Sequence, residues 1–235
     1  MPEWFEKLFP NVVAYWDRFI ASCTATWQMF LIAGSISFVI GLLFGVILTI
    51  TRSEGIRPNK VVYGILNALI NFFRAIPFII LLIFIIPLTR VLVGTAIGVK
   101  GACVPLVFGT VPFFTRQVES ALAEVSDGKI EAARAMGSSV WEIIFRVYLH
   151  EAVPGLIRVT VITATSLIGL TTMAGAVGAG GIGSFAINYG QNLHHQDIVN
   201  ICVVILLAVV WLLQSVGSFL VSKTTNRELF PKNYK

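Results

Sequence analysis

The sequence predicts an all-α polytopic membrane protein, with about five transmembrane helices per subunit and one organised polar loop between the third and fourth. Three observations predict it. Hydrophobic residues make up 56% of the 235 residues, and the mean hydropathy is +0.84. Charged residues make up 12%, against about 25% in soluble domains. The charges gather between apolar runs of about 20 residues, the length that crosses a hydrocarbon core as a helix. The formal balance of +5 does not point to nucleic acid, because the cations flank apolar segments, as topology signals do.

The elements follow in order. Residues 1–27 open with "MPEWFEKLF". This stretch lacks a basic region followed by a short apolar core, so no cleavable signal peptide is expected. It reads as an extracytoplasmic or interfacial segment. The first span, Gln28 to Ile50, carries no charge. Ala33, Ser37, Gly41 and Gly45 recur in it every four positions. Small residues at that spacing let helix backbones meet closely in lipid, in the same subunit or another.

The second span, Val61 to Leu88, is interrupted by Asn67, Asn71 and Arg74. These lie at i, i+4 and i+7 and share one helix face. Intramembrane polar groups are costly and face protein or water. Two readings fit: a pathway or inter-helix face, or a membrane-embedded part that starts near Ala75, with Arg74 snorkelling to the headgroups.

The third span, Gly98 to Leu122, has Arg90 and Lys100 as anchors of one end. Arg116 and Glu119 are placed to pair at the other end. Pro105 and Pro112 are expected to bend it. The fourth apolar stretch, Leu156 to Ile187, is long enough for one span plus a re-entrant or broken end. Gly175, Ala179 and Gly183 recur every four positions there, and Gly178, Gly180 and Gly181 weaken the helix. Met173 stands just before this run. From spacing alone it is a packed or lipid-facing side chain. The fifth span, Ile198 to Val221, is again free of charge, and residues 222–235 form a tail.

Five spans put the termini on opposite sides. One side holds Arg52, Arg57, Lys60, Arg116, Lys129, Arg134, Arg146, Arg158, Lys223, Arg227, Lys232 and Lys235; the other holds Lys7, Arg18, Arg90 and Lys100. Cytoplasmic loops carry the excess of Lys and Arg. The N-terminus is therefore expected outside, and the C-terminus and the loop 123–155 in the cytoplasm.

That loop reads as two short helices and a turn. Asp127 is expected to N-cap Lys129 to Met136, and Gly137 suits the left-handed position that ends a helix. Ser139 with Glu142 three residues later makes a capping box. Trp141, Ile144, Phe145 and Tyr148 follow i, i+3, i+4, i+7 as one apolar stripe. Glu142 and Arg146 are an i, i+4 pair. Pro154 suits the start of the next span. Ala132, Ala133 and Ala135 keep the first helix slim, so another surface can approach it. The loop is either an amphipathic connector resting on headgroups or a docking element.

Other chemistries find little support. Cys23, Cys103 and Cys202 are an odd number, far apart, and read as buried thiols. His194, His195 and Asp197 are close in sequence and read as a solvated outer loop rather than a metal site. No catalytic role falls to His150. The chain has no G-x-S-x-G, H-E-x-x-H or paired intramembrane aspartates. It also has no G-x-x-x-x-G-K-[ST] phosphate loop, so it is not expected to be an enzyme. It shows neither a repeated half nor the charged midplane site that would favour an ATP-independent channel or secondary transporter.

The spacing of the loop adds more. "EAARAMGSSVWEIIFRVYLH" resembles the cytoplasmic EAA loop of ABC-importer permeases, which reads Glu-Ala-Ala, three residues, Gly, nine residues, an aliphatic residue, any residue, Leu, Pro. Glu131, Ala132, Ala133, Gly137, Val147 and Leu149 match. His150 stands in place of the Pro, so the helix is expected to run further than usual. "NFFRAIPFIILL" is similar to the Arg-x-x-Pro segment of amino-acid permeases. "IPLTRVLVGTAIG" and "MAGAVGAGGIG" resemble the methionine-uptake branch. The resemblance runs from about Ile20 to Lys223.

It implies a single permease domain of five spans that pairs as a homodimer in the bacterial inner membrane. It implies two ATPase subunits docked on the loop, with ATP and Mg bound there and no cofactor on this chain. An extracytoplasmic binding protein would deliver methionine. Met173, Gly175 and Gly178, with Asn71 and Arg74, would line the pathway or its gate. A permease for another amino acid or small solute is the rival within the class. A channel, a secondary transporter or a structural scaffold is the rival outside it, and co-purification with an ATPase separates these.

Overall fold

The computed structural model describes residues 3–229. Lys232 and Lys235 of the cation census lie outside the described residues. The described chain is helical throughout, with no strand among these residues.

Two short helices, α1 (Glu3–Leu8) and α2 (Pro10–Ala14), precede α3 (Trp16–Thr51). At 36 residues, α3 is about 54 Å long, well beyond the roughly 30 Å of a hydrocarbon core. The first span, expected to start at Gln28, is thus continuous with residues 16–27. Helix α4 (Lys60–Ala75) starts from Asn59, whose side-chain oxygen accepts from Val61 N–H and Val62 N–H, both at 3.1 Å.

The expected single span Val61 to Leu88 is broken. The chain leaves the helix at Ile76–Pro77, and α5 (Phe78–Phe84) and α6 (Ile86–Val93) follow. The cause is Pro77: it has no N–H to donate and pushes Ile76 out of helical conformation. Four helices are long and apolar enough to cross a membrane, and the bent pair α4–α5 makes a fifth span if it counts as one.

Helix α7 (Gly98–Ala123) continues through Pro105 and Pro112, as transmembrane helices tolerate. The loop holds α8 (Asp127–Ala135), α9 (Val140–Glu142), a π-helical turn (Ile143–Tyr148) and α10 (Leu149–Glu151). Helix α11 (Val153–Ala174) ends in a second π-helical turn (Gly175–Ala179), which is the expected broken end. Then come α12 (Gly181–Phe185), a third π-helical turn (Ala186–Gln191) and α13 (Gln196–Leu229).

The chain forms two compact units, each woven from three stretches. One takes the residues up to Ile36, Ile76–Thr110 and Ala164–Leu212; the other takes Ser37–Ala75, Val111–Thr163 and the residues from Leu213 on.

In the first unit, Met29, Leu106, Leu167 and Ala174 form one core, and Val12, Phe19, Phe185 and Ile198 a second. Ile182 N–H donates to Thr26 Oγ1 at 2.8 Å, which fixes α12 to α3. Asn11 donates its backbone and side-chain N–H groups to the two oxygens of Asp197, both at 2.9 Å. Asp197 is therefore a clasp for α2, not part of a free loop.

In the second unit the small-residue stripe of α3 meets α7. A Cβ on Gly41 would lie 2.7 Å from a Phe114 ring carbon, and one on Gly45 would lie 2.4 Å from Val118 Cγ1. At these two positions the stripe packs within the subunit.

Candidate functional site

The loop 123–155 is an ordered object with its own core. Phe114, Val118, Ala121 and Leu122 of α7 pack with Ile130 and Ala133 of α8 and with Ile143 and Tyr148 of the π turn. Each large apolar side chain of the loop removed from water there, such as Ile130 or Ile143, contributes on the order of 1.5–3 kcal/mol. Burial also pushes the Tyr148 phenol above its ordinary pKa, partly offset by the charge of Arg52. Two polar ties fix the edges. Lys129 pairs with Glu151, and Arg134 Nη2 donates to the Gly55 carbonyl at 3.3 Å.

The caps follow the local chemistry, with one correction. Ser126, not Asp127, is the N-cap of α8, and Asp127 opens its first turn. Glu131 is consequently the fifth residue after the cap rather than the fourth. At the other end Gly137 has φ +79°. Ser138 N–H donates to the Ala133 carbonyl at 3.1 Å and Gly137 N–H to the Arg134 carbonyl at 2.9 Å. This pair of bonds closes a helix in the Schellman manner and needs a left-handed residue, which glycine supplies without strain. The capping box of Ser139 and Glu142 is present in both directions. The backbone and hydroxyl of Ser139 together hold the Glu142 carboxyl below its usual pKa. Glu142 also lies 3.7 Å from Arg146.

The predicted apolar stripe is split. Ile144 and Tyr148 are buried, but Trp141 is 69% and Phe145 62% exposed, their rings stacked at 6.3 Å. Ile143, which the sequence reading did not single out, is buried in their place. A π turn holds more residues per turn than an α-helix, so Ile143–Tyr148 shifts the phase of the face. Met136 is also exposed. The loop therefore leaves three large apolar side chains exposed, Met136 and the stacked pair Trp141 and Phe145.

The family-like positions divide between the two sides of the loop. Ala133 is buried in the core, Val147 and Leu149 are half-buried against it, and Glu131, Ala132 and Gly137 are exposed. His150 is exposed in α10, and only Ala152 separates α10 from α11. With no proline at position 150 the helical path runs on almost without interruption.

The residues around Met173 lie in the first unit. Met173 and Val177 are exposed, while Gly175 is buried. The backbone turns at Gly178, with φ +97°. A Cβ on Gly175 would lie 2.7 Å from Ser184 N, and one on Gly183 would lie 2.1 Å from the Thr172 carbonyl oxygen. The small residues here let the broken end of α11 fold back against α12. Thr171 and Thr172 both donate their hydroxyls to the Ile168 carbonyl, at 2.7 and 3.1 Å, as hydroxyls in apolar helices do.

Asn67 and Asn71 do share a face, and the structure adds what they face. Both side-chain oxygens accept from Arg116 of α7, with Asn71 at 3.0 Å, and Arg116 Nη1 holds Glu119 at 2.6 Å. Arg74 is exposed near the end of α4 and contributes no bond to this group. Two patterns read separately in the sequence are thus one cluster.

Comparison with known proteins sets this geometry in context. Residues 19–224 match the family described as binding-protein-dependent transport system inner membrane component. A probable D-methionine transport system permease protein MetI from Vibrio cholerae is 41% identical, over 92% of this chain and 99% of that one. The D-methionine transport system permease protein MetI of Escherichia coli strain K12 is 48% identical, over 64% of this chain and 69% of its own. A solved structure of the MetNI methionine ABC transporter in inward-facing conformations superposes with a TM-score of 0.85 and 41% identity, covering 95% of this chain and 99% of that one.

Proposed function

The chain belongs to the family of binding-protein-dependent transport system inner membrane components, and from that premise we infer that it is the permease subunit of an ATP-driven methionine importer. The observation that carries this reading is the match, 41% identical at a TM-score of 0.85 over 95% of this chain and 99% of the other, to a chain of a methionine ABC transporter. The relatives named for D-methionine support that isomer as one of its substrates.

Two copies pair in the inner membrane. Two ATPase subunits bind ATP and Mg and hydrolyse ATP; this chain catalyses no reaction itself. An extracytoplasmic binding protein delivers the substrate. The N-terminus lies outside and the C-terminus in the cytoplasm, which the cation census supports.

In this reading the loop 123–155 docks on the ATPase. Its exposed Met136, Trp141 and Phe145, with the exposed Glu131, Ala132 and Gly137, supply the contact, because large exposed apolar groups on one loop mark an interaction surface. The core that ties α8 and the π turn to α7 makes loop and span move together. Closing of the ATPase pair then becomes a displacement of helices, and access alternates. Met173 stands at the gate, where the break after α11 leaves a bulky flexible side chain on a movable end.

The polar side chains best placed by sequence to grip a zwitterion are engaged elsewhere, and the unpartnered Ser37, Thr110 and Thr165 hydroxyls are buried and uncharged. Thr171 and Thr172 are engaged with their own helix, and Asn67 and Asn71 with Arg116. Selection therefore falls mainly to the binding protein. Reconstitution with the ATPase and binding protein in proteoliposomes tests this. ATP-dependent methionine uptake that needs the binding protein is the expected result. Uptake of an unrelated solute and no methionine would overturn the substrate.

A further inference from the structure

The cluster around Arg116 shares no residue with the exposed apolar groups of the loop or with the stretch around Met173, and neither role uses it. Its geometry is specific. Arg116 Nη1 donates to Glu119 Oε2 at 2.6 Å on the same helix. Nη2 donates across to α4, to Asn71 Oδ1 at 3.0 Å and to Asn67 Oδ1. Asn71 Nδ2 closes the set by donating to Asn67 Oδ1 at 3.3 Å. The Arg116 and Glu119 side chains are about four-fifths buried, at 20% and 17% exposure.

Such a set is not needed for stability. An ion pair out of water loses about as much in desolvation as it gains, and an apolar replacement of both partners is often neutral. What a planar guanidinium provides is register. Its donors have fixed directions, so two amides one turn apart on α4 are held to one height on α7. Just beyond Arg116, Val118, Ala121 and Leu122 enter the core shared with Ile130, Ala133, Ile143 and Tyr148 of the loop. Helix α7 is therefore gripped by the loop at one end and grips α4 at the next turn.

We propose that Arg116 is a positioning residue, a strut that carries displacement of the loop into α4. The proposal rests on the reading of the loop as the ATPase-docking element. The strut stays closed through the cycle, and Glu119 orients the guanidinium toward the two amides.

The test measures ATP hydrolysis and methionine uptake in the same proteoliposomes, together with hydrogen exchange of the α4 amides. Three variants are compared with wild type. Arg116→Leu with Glu119→Leu removes both charges together, Asn67→Leu with Asn71→Leu removes the α4 side, and Arg116→Lys keeps the charge without the fork. Both double variants are expected to lose about tenfold in uptake per ATP hydrolysed. Hydrolysis should stay within about twofold of wild type, and α4 amides should exchange faster. Arg116→Lys falls between, and it decides the matter if a double variant does not insert. Uptake and hydrolysis falling in proportion, or neither changing, overturns the strut. If the wild type takes up no methionine, the transport reading fails instead. The exchange data then decide alone, and unchanged α4 exchange in the double variants overturns the proposal.

Discussion

Replacing Gly137 tests whether the loop's shape, rather than its mere presence, couples ATP hydrolysis to transport. Gly137 closes α8 at φ +79°, and no atom lies within 4 Å of where a Cβ would stand. Gly137→Ala therefore meets no clash, and its cost is backbone strain alone, about 1 kcal/mol. Gly137→Asn costs less, because asparagine visits the left-handed region more readily. Gly137→Pro fixes φ near −65° and removes the N–H that donates to the Arg134 carbonyl. The cap cannot form, and the cost is about 3 kcal/mol or more. Opening the cap releases Ala133, whose carbonyl accepts from Ser138 N–H and whose side chain lies in the loop core, and moves the exposed Met136. If only the closed cap engages the ATPase, 1 kcal/mol lowers the competent fraction by up to about fivefold. Proline lowers it by roughly a hundredfold. Uptake should rank glycine, asparagine, alanine, proline, read against the amount of assembled protein in the vesicles. Wild-type uptake by well-inserted Gly137→Pro would refute the reasoning, because the left-handed cap would then be dispensable.

Two further predictions bear on topology and gating. In a background with Cys23, Cys103 and Cys202 replaced, a single cysteine at Gln191 should react with an impermeant reagent from outside, and one at Lys223 only from the cytoplasm. Labelling of position 223 from outside would reverse the assigned orientation. Met173→Ala should raise basal ATP hydrolysis or substrate leak by loosening the constriction; if neither moves and uptake is unchanged, Met173 is an ordinary exposed helix side chain.

What the sequence made legible is what short-range chemistry decides. The ends of α8 and α9 follow from Gly137, Ser139 and Glu142, whose partners lie within a few residues. The broken end of the fourth span follows from the glycines after Met173. Four of the spans follow from hydropathy. What stayed hidden depends on partners far along the chain. Asn11 and Asp197 are 186 residues apart, and nothing local in "NVVA" announces a clasp. Arg116 and Asn67 are 49 apart. Their two polar faces were visible, but which helices are neighbours was not. The break at Pro77 was within reach, since a proline after Arg74 is a local signal against one straight span.

The split stripe of α9 and the π turn is a different kind of limit. Trp141, Ile144, Phe145 and Tyr148 carry a helical period that fits one buried face. A π turn is selected by packing around it, so its phase shift leaves no mark in the residue pattern. There is also a physical reason why pattern alone fails here. A side chain that will be buried by its own subunit and one that will be buried by a partner obey the same rule, apolar residues at helical spacing. Only the folded subunit separates them, by showing which remain uncovered. Ile143, Ile144 and Tyr148 are satisfied within the chain, and Trp141, Phe145 and Met136 are not. That difference divides a periodic stripe into residues held by the core that joins the loop to α7 and residues left for another surface.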